Sequence, residues 1–215
     1  MQKKARKKTV RRARIITKEE IDRVIACQKD CLHGLRNTAL ILCGFTMGLR
    51  AMELANLTFR NLFNEDWEFK KEPWIEDEQT KGGYGGGRLF NQSKTAQYYI
   101  LKYIEQRKSM LRKGENLDLD EPLFSSQKGF GKFYPKTVVK LVRRIFFKAG
   151  IYDDGKNKAT SHSMRRTSAT CFAKKGGDMK STMVFLRDRT IGEAQKYIEA
   201  CMRRVELFAT GAVIK

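Results

Sequence analysis

Apolar residues recur at helical spacing in several separate stretches of the chain. Thr17-Lys18-Glu19-Glu20 is a capping box, with glutamate placed to reach back to the threonine, and it opens a helix through Ile21, Val24 and Ile25. Residues 35–47 are apolar nearly all round, which predicts a buried helix. It runs into Gly48-Leu49-Arg50, and a short helix over residues 52–57 follows. Tyr99, Ile100, Tyr103 and Ile104 place an aromatic stripe on the core face of a helix over residues 96–111, closed by Lys113-Gly114. Val138, Val142, Ile145 and Phe146 do the same for residues 135–149. A last helix spans residues 162–175 and breaks at Gly176-Gly177.

The pattern changes between Trp74 and Asn91. β-capable residues flank Lys81-Gly82-Gly83-Tyr84-Gly85-Gly86-Gly87, which predicts a hairpin with a glycine-rich tip. A Gly-rich phosphate cradle would end in G-K-[ST]; Arg88-Leu89 stands there instead, so a nucleoside-triphosphate site is rejected. A polar, acidic loop over residues 114–121 leads to Pro122-Leu123-Phe124, a short strand or anchored loop. The fold class expected is α+β, mostly helical, with a small β-hairpin sheet.

Charge narrows the function. Lys and Arg number 44 against 24 Asp and Glu, a formal net charge of +20 in 215 residues. Such an excess predicts a polyanionic partner, because each neutralised phosphate releases counterions. Residues 1–14 hold eight Lys or Arg and no acid, which reads as a flexible basic arm along DNA or as a solubilising tail. Lys136, Lys140, Arg143, Arg144 and Lys148 crowd one face of the helix over residues 135–149, a stripe suited to a groove or phosphate rail, or else an ordinary solvated face. The folded domain is expected over residues 15–200. The tail, residues 201–215, carries Val205, Leu207, Phe208, Val213 and Ile214 and is too short to fold alone, so it docks within its own subunit or on a neighbour.

The longest apolar run, residues 39–49, falls short of the about 20 residues that span a bilayer, so no membrane association is expected. The basic N-terminus has no apolar stretch after it, unlike a secretory signal, and a cytoplasmic location is expected. Five cysteines without framework spacing suit reduced thiols. Cys27, Cys31 and His33 lack a matching fourth ligand nearby, so no metal and no other cofactor is expected.

Two local patterns suit an anion. His162 and Arg165 stand three apart, so both leave one face of a helix, and a guanidinium fork beside an imidazole matches phosphate oxygens. Arg50 follows a glycine at a helix junction, where it can be aimed into a cleft and braced by Glu53. Each pattern alone has a plainer reading, a solvated surface Arg165 with His162 in a loop or at a helix start, and a surface Arg50–Glu53 pair worth little.

Together these stretches resemble the tyrosine recombinase (phage-integrase-like) family. The box T-G-L-R-x-x-E-L is matched by Thr46-Met47-Gly48-Leu49-Arg50-Ala51-Met52-Glu53-Leu54. The box H-x-L-R-R/H-T-x-A-T is matched by His162 to Thr170, the nucleophile context by Ala194-Gln195-Lys196-Tyr197, and the hairpin lysine by Lys81. The resemblance implies a catalytic domain in a minimal form without a separate core-binding domain, similar to fimbrial-switch invertases, unless the chain is a fragment. It further implies that Tyr197 attacks the scissile phosphate of double-stranded DNA at a specific site, leaving a 3′-phosphotyrosine link. Arg50 and Arg165 hold the non-bridging oxygens, Lys81 protonates the leaving 5′-oxygen and His162 assists proton movement. A phenol with an ordinary pKa of about 10 needs such a density of positive charge. Two duplexes in a homotetramer, with neither ATP nor metal, complete the implied scheme.

Three points stay open. Where the family carries Leu-Gly-His before the tyrosine, this chain has Leu186-Arg187-Asp188-Arg189. Arg187 or Arg189 takes over a contact to DNA, or the site is slow, or the protein is a catalytically impaired relative that acts by binding DNA. Lys94 competes with Lys81 for the hairpin role. A type IB topoisomerase uses similar chemistry.

Overall fold

The computed structural model describes residues 12–80, 82–83, 85–90, 93–126, 131–192 and 195. Among these, the α-helices described from end to end are α1 (Lys18–Gln28), α2 (Gly34–Thr46), α3 (Ala51–Asn56), α4 (Lys94–Ser109), α5 (Pro135–Lys148), α6 (Ser161–Lys174) and α7 (Met179–Leu186). The strands are two residues each: β1 (Arg12–Ala13), β2 (Trp74–Ile75), β3 (Gly87–Arg88) and β4 (Asn157–Lys158). No helix among the described residues is long and apolar enough to cross a membrane.

The helices expected from periodicity form within one or two residues of their expected ends. Thr17 Oγ1 accepts from the Glu20 N–H at 3.3 Å while Glu20 Oε2 accepts from the Thr17 N–H at 3.0 Å, the capping box that starts α1. α2 buries every residue but Leu35 and Thr46 and so becomes the central post, with α1, α4 and α6 packed around it. Where α2 crosses α6 the backbones approach closely. A Cβ on Gly44 would stand 2.6 Å from Met164 Sδ. α3 rests on α5, and α7 on α6.

The hairpin is present as β2 and β3, antiparallel, with Trp74 opposite Arg88 and Ile75 opposite Gly87. The loop through Pro122 is anchored rather than a strand: the Leu123 N–H donates to Leu57 O at 2.7 Å. Buried Arg107 on α4 holds the same loop, donating to Pro122 O at 2.7 Å, pairing with Glu121 and lying 5.1 Å from the Phe59 ring centre.

One expected boundary moves. Residues 12–14, assigned to the basic arm, are tied into the fold: β1 pairs in parallel with β4, and Arg14 donates to Tyr152 O at 3.0 Å and to Glu20 Oε1 at 2.5 Å. The second family box fastens the same segment. Arg166 donates to Ala13 O at 2.5 Å, and Thr167 Oγ1 accepts from the Ile16 N–H at 2.9 Å. The rest of the arm, residues 1–11, and the tail, residues 201–215, lie outside the described residues.

Candidate active site

Gly48 turns the chain from α2 towards α3 with φ at +61°, a left-handed conformation that costs glycine little. A Cβ there would also stand 2.9 Å from Leu186 Cδ2, so the glycine lets this turn meet the end of α7. The next polar residue, Arg50, is the N-cap of α3. Its backbone N–H donates to Glu53 Oε2 at 2.9 Å and its guanidinium to Glu53 Oε1 at 2.9 Å. Glu53 is fully buried, so this is a fixed brace and not a surface pair.

Arg165 comes from α6 and is wholly buried. It donates to Gly48 O at 2.6 Å, to Leu186 O at 2.5 Å and to Asp188 Oδ1 at 2.7 Å. Arg50 donates to that same Asp188 oxygen. The two family-box arginines therefore meet, far apart in sequence, at one carboxylate oxygen.

Asp188 reaches this point from a tight turn. α7 ends on Arg187 at φ +55°, where a non-glycine residue costs roughly 1 kcal/mol. The turn is held by Arg187 N–H to Val184 O and Asp188 N–H to Met183 O, both at 3.0 Å. The hairpin lies against it: a Cβ on Gly87 would stand 3.3 Å from Arg187 Cγ.

Arg187 corrects an expectation. It was expected to contact DNA, yet its guanidinium is 2% exposed and points inward, donating to Glu53 Oε2 at 3.1 Å and Phe185 O at 3.1 Å. Burial favours this because the left-handed turn aims the side chain at a carboxylate already inside. Arg189, expected in the same role, is exposed.

The resulting cluster is charged and, apart from partly exposed Arg50, buried. Burial alone would raise the Glu53 pKa, but Arg187, then Arg165 and Arg50, outweigh it and hold the pKa below its ordinary value. Burial pushes the Arg187 pKa down while Glu53 opposes the shift. Three guanidinium groups face two carboxylates, which leaves one net positive charge.

His162 and Arg165 share a helical turn but not an environment: His162 is exposed and Arg165 is interior. Lys94 is exposed in the first turn of α4, outside the hairpin. Lys81 and Tyr197 lie outside the described residues. Lys136, Lys140, Arg143 and Arg144 are exposed on α5, opposite its buried face of Val138, Leu141, Val142, Ile145 and Phe146. The stripe adjoins the α1–α2 junction, where Arg144 and Arg36 add to the burial that lowers the His33 pKa. Among the described residues no three His, Cys, Asp or Glu side chains are grouped to hold a metal ion.

Sequence reasoning missed Asp188 as the point of convergence. Its position was visible, but its partners lie 138 and 23 residues away, and no local spacing announces such a contact.

A mostly helical domain with a small hairpin, in which arginines from two separate boxes converge, is the catalytic-domain fold of tyrosine recombinases. The chain belongs to the phage integrase family, whose family model matches residues 14–204. It is similar to the tyrosine recombinase XerD of Oceanobacillus iheyensis, 24% identical over 192 residues, which cover 89% of this chain and 59% of that protein. A crystal structure of XerA recombinase superposes with a TM-score of 0.69 at 20% identity, over 99% of this chain and 68% of that one. A post-cleavage complex of XerH site-specific recombinase bound to palindromic difH substrate gives 0.69 at 20% identity, over 92% and 52%. The chain thus spans about three fifths of the XerD relative's length.

Proposed function

We propose that this protein is a tyrosine-type site-specific DNA recombinase that cleaves and rejoins double-stranded DNA through a 3′-phosphotyrosine intermediate. The observation that carries the reading is the convergence of Arg50 and Arg165 on a single anionic oxygen. Two guanidinium groups held in this way, by Glu53 on one side and by two backbone carbonyls on the other, are preorganised donors for non-bridging phosphate oxygens.

Tyr197 is the nucleophile in this reading and stands nine positions after Asp188, the register at which the family's histidine precedes its tyrosine. Attack by the phenolate oxygen on phosphorus forms the P–O(Tyr) bond and breaks the bond to the 5′-oxygen, which takes a proton from Lys81. His162, exposed one turn from Arg165, assists proton movement. A 5′-hydroxyl from a second duplex reverses the step. The bond energy stays in the covalent link, so no nucleotide hydrolysis is needed. Lys136, Lys140, Arg143 and Arg144 follow the DNA backbone together with exposed Arg189, in a homotetramer on two duplexes in the cytoplasm, with the tail docked on its own or a neighbouring subunit.

The test is a nicked suicide duplex from which the cleaved end diffuses away. Wild type accumulates a covalent protein–DNA adduct and Tyr197→Phe forms none. An adduct formed by Tyr197→Phe overturns the assignment of the nucleophile. Arg165→Ala slows adduct formation by about 10²–10³-fold, the decrease expected for one preorganised oxyanion donor.

A further inference from the structure

We infer that Asp188 is an internal stand-in for the scissile phosphate: its carboxylate occupies the anion position between Arg50 and Arg165 and must swing off before a phosphodiester can enter. The inference deepens the recombinase reading and, for its catalytic consequence, rests on it.

Arg165 is fully buried, and its hydrogen bond to Asp188 Oδ1 at 2.7 Å covers a guanidinium face that a phosphate would need. The same oxygen takes the Arg50 donor. A phosphodiester carries one negative charge, as the carboxylate does, so the exchange leaves the charge of the cluster unchanged.

The two buried carboxylates are held differently. Glu53 uses both oxygens, Oε1 towards Arg50 and Oε2 towards the Arg50 backbone and Arg187, as a permanent brace does. Asp188 bridges both arginines with Oδ1 alone, while Oδ2 is buried without a hydrogen-bond partner among the described residues. One oxygen shared by two guanidinium donors serves each of them less fully than a ligand that offers an oxygen to each. A phosphate brings separate oxygens for the two guanidinium groups. In this inference the Asp188 N–H stays with Met183 O, at 3.0 Å, and the carboxylate leaves by rotation about Cα–Cβ. The unbound site is therefore closed by its own side chain, and a bound phosphate opens it.

The experiment measures thermal unfolding of the full chain, wild type and Asp188→Asn, in sodium chloride and in sodium sulfate of equal ionic strength. Removing the carboxylate leaves two guanidinium groups facing each other, and the variant's melting temperature in chloride falls by about 10 °C. Sulfate at millimolar concentration recovers most of that fall in a saturable way. Wild type, its site occupied, shifts by less than about 2 °C. A variant that folds only when purified in sulfate and unfolds on dialysis into chloride gives the same result. A sulfate response no larger in Asp188→Asn than in wild type overturns the inference, as does a variant that folds in neither salt.

A second arm uses the suicide duplex. Asp188→Asn is expected to form the adduct at least as fast as wild type, and a tenfold slower rate despite sulfate rescue overturns the closing role. Sulfate rescue with no adduct from either protein sinks the recombinase reading and leaves the occupied anion site standing.

Discussion

Arg165 and Arg187 show how far a residue's role departs from its type. Both are arginines in a strongly basic chain, yet both are interior, and each is tied to a carboxylate that a different element supplies. Breaking such a pair by removing one partner costs more than any surface pair would, because the other charge stays buried. Arg187→Ala should lower the unfolding free energy by about 3–5 kcal/mol in urea titrations. It should leave the salt dependence of DNA binding unchanged, whereas removing an arginine that touches a phosphate would lower that slope by about 1. Glu53 sets an acid limb. Its folded pKa is depressed, so the stability it contributes is fully present above the ordinary glutamate range and is lost as pH falls below that range through the folded value. Glu53→Gln should be less stable at neutral pH and show a flatter decline below about pH 4.3, read from unfolding midpoints across pH.

Elements built from a repeating local pattern were legible in the chain. The capping box of α1, the aromatic stripe of α4 and the apolar face of α5 each follow from residues within a few turns of one another. β1 and β4 were not, since two residues pair with two others across some 145 positions, without alternation or turn to mark them. The close crossing of α2 and α6 was equally silent, because Gly44 acquires its meaning only when Met164 arrives. Gly44→Val should cost about 2–3 kcal/mol by overpacking. In a double-mutant cycle, Met164→Ala should relieve at least about 1 kcal/mol of that cost. Additive effects would mean that the helices separate freely at this point.

At the scale of the whole molecule, charge is the quantity that composition already reveals, and its distribution decides how it acts. Lys136, Lys140, Arg143 and Arg144 stay on the surface of α5 while Arg50, Arg165 and Arg187 are drawn into a cluster with Glu53 and Asp188. Replacing the four α5 cations with alanine should reduce the slope of log affinity against log salt by about 0.9 for each phosphate that is no longer neutralised. Stability should change by no more than about 0.5 kcal/mol per site. An unchanged slope would remove α5 from the DNA interface. The sequence by itself determined helices α1 to α6, the hairpin, the excess of positive charge and the order of the family boxes, because each depends on neighbours along the chain or on a sum over it, whereas α7 was not legible there. Only the tertiary structure decided which arginines stay on the surface and which are drawn inside, and that Asp188 lies between Arg50 and Arg165. Those outcomes depend on which carboxylates and carbonyls share a buried space, and that is set by packing among segments that have no proximity until the chain has folded.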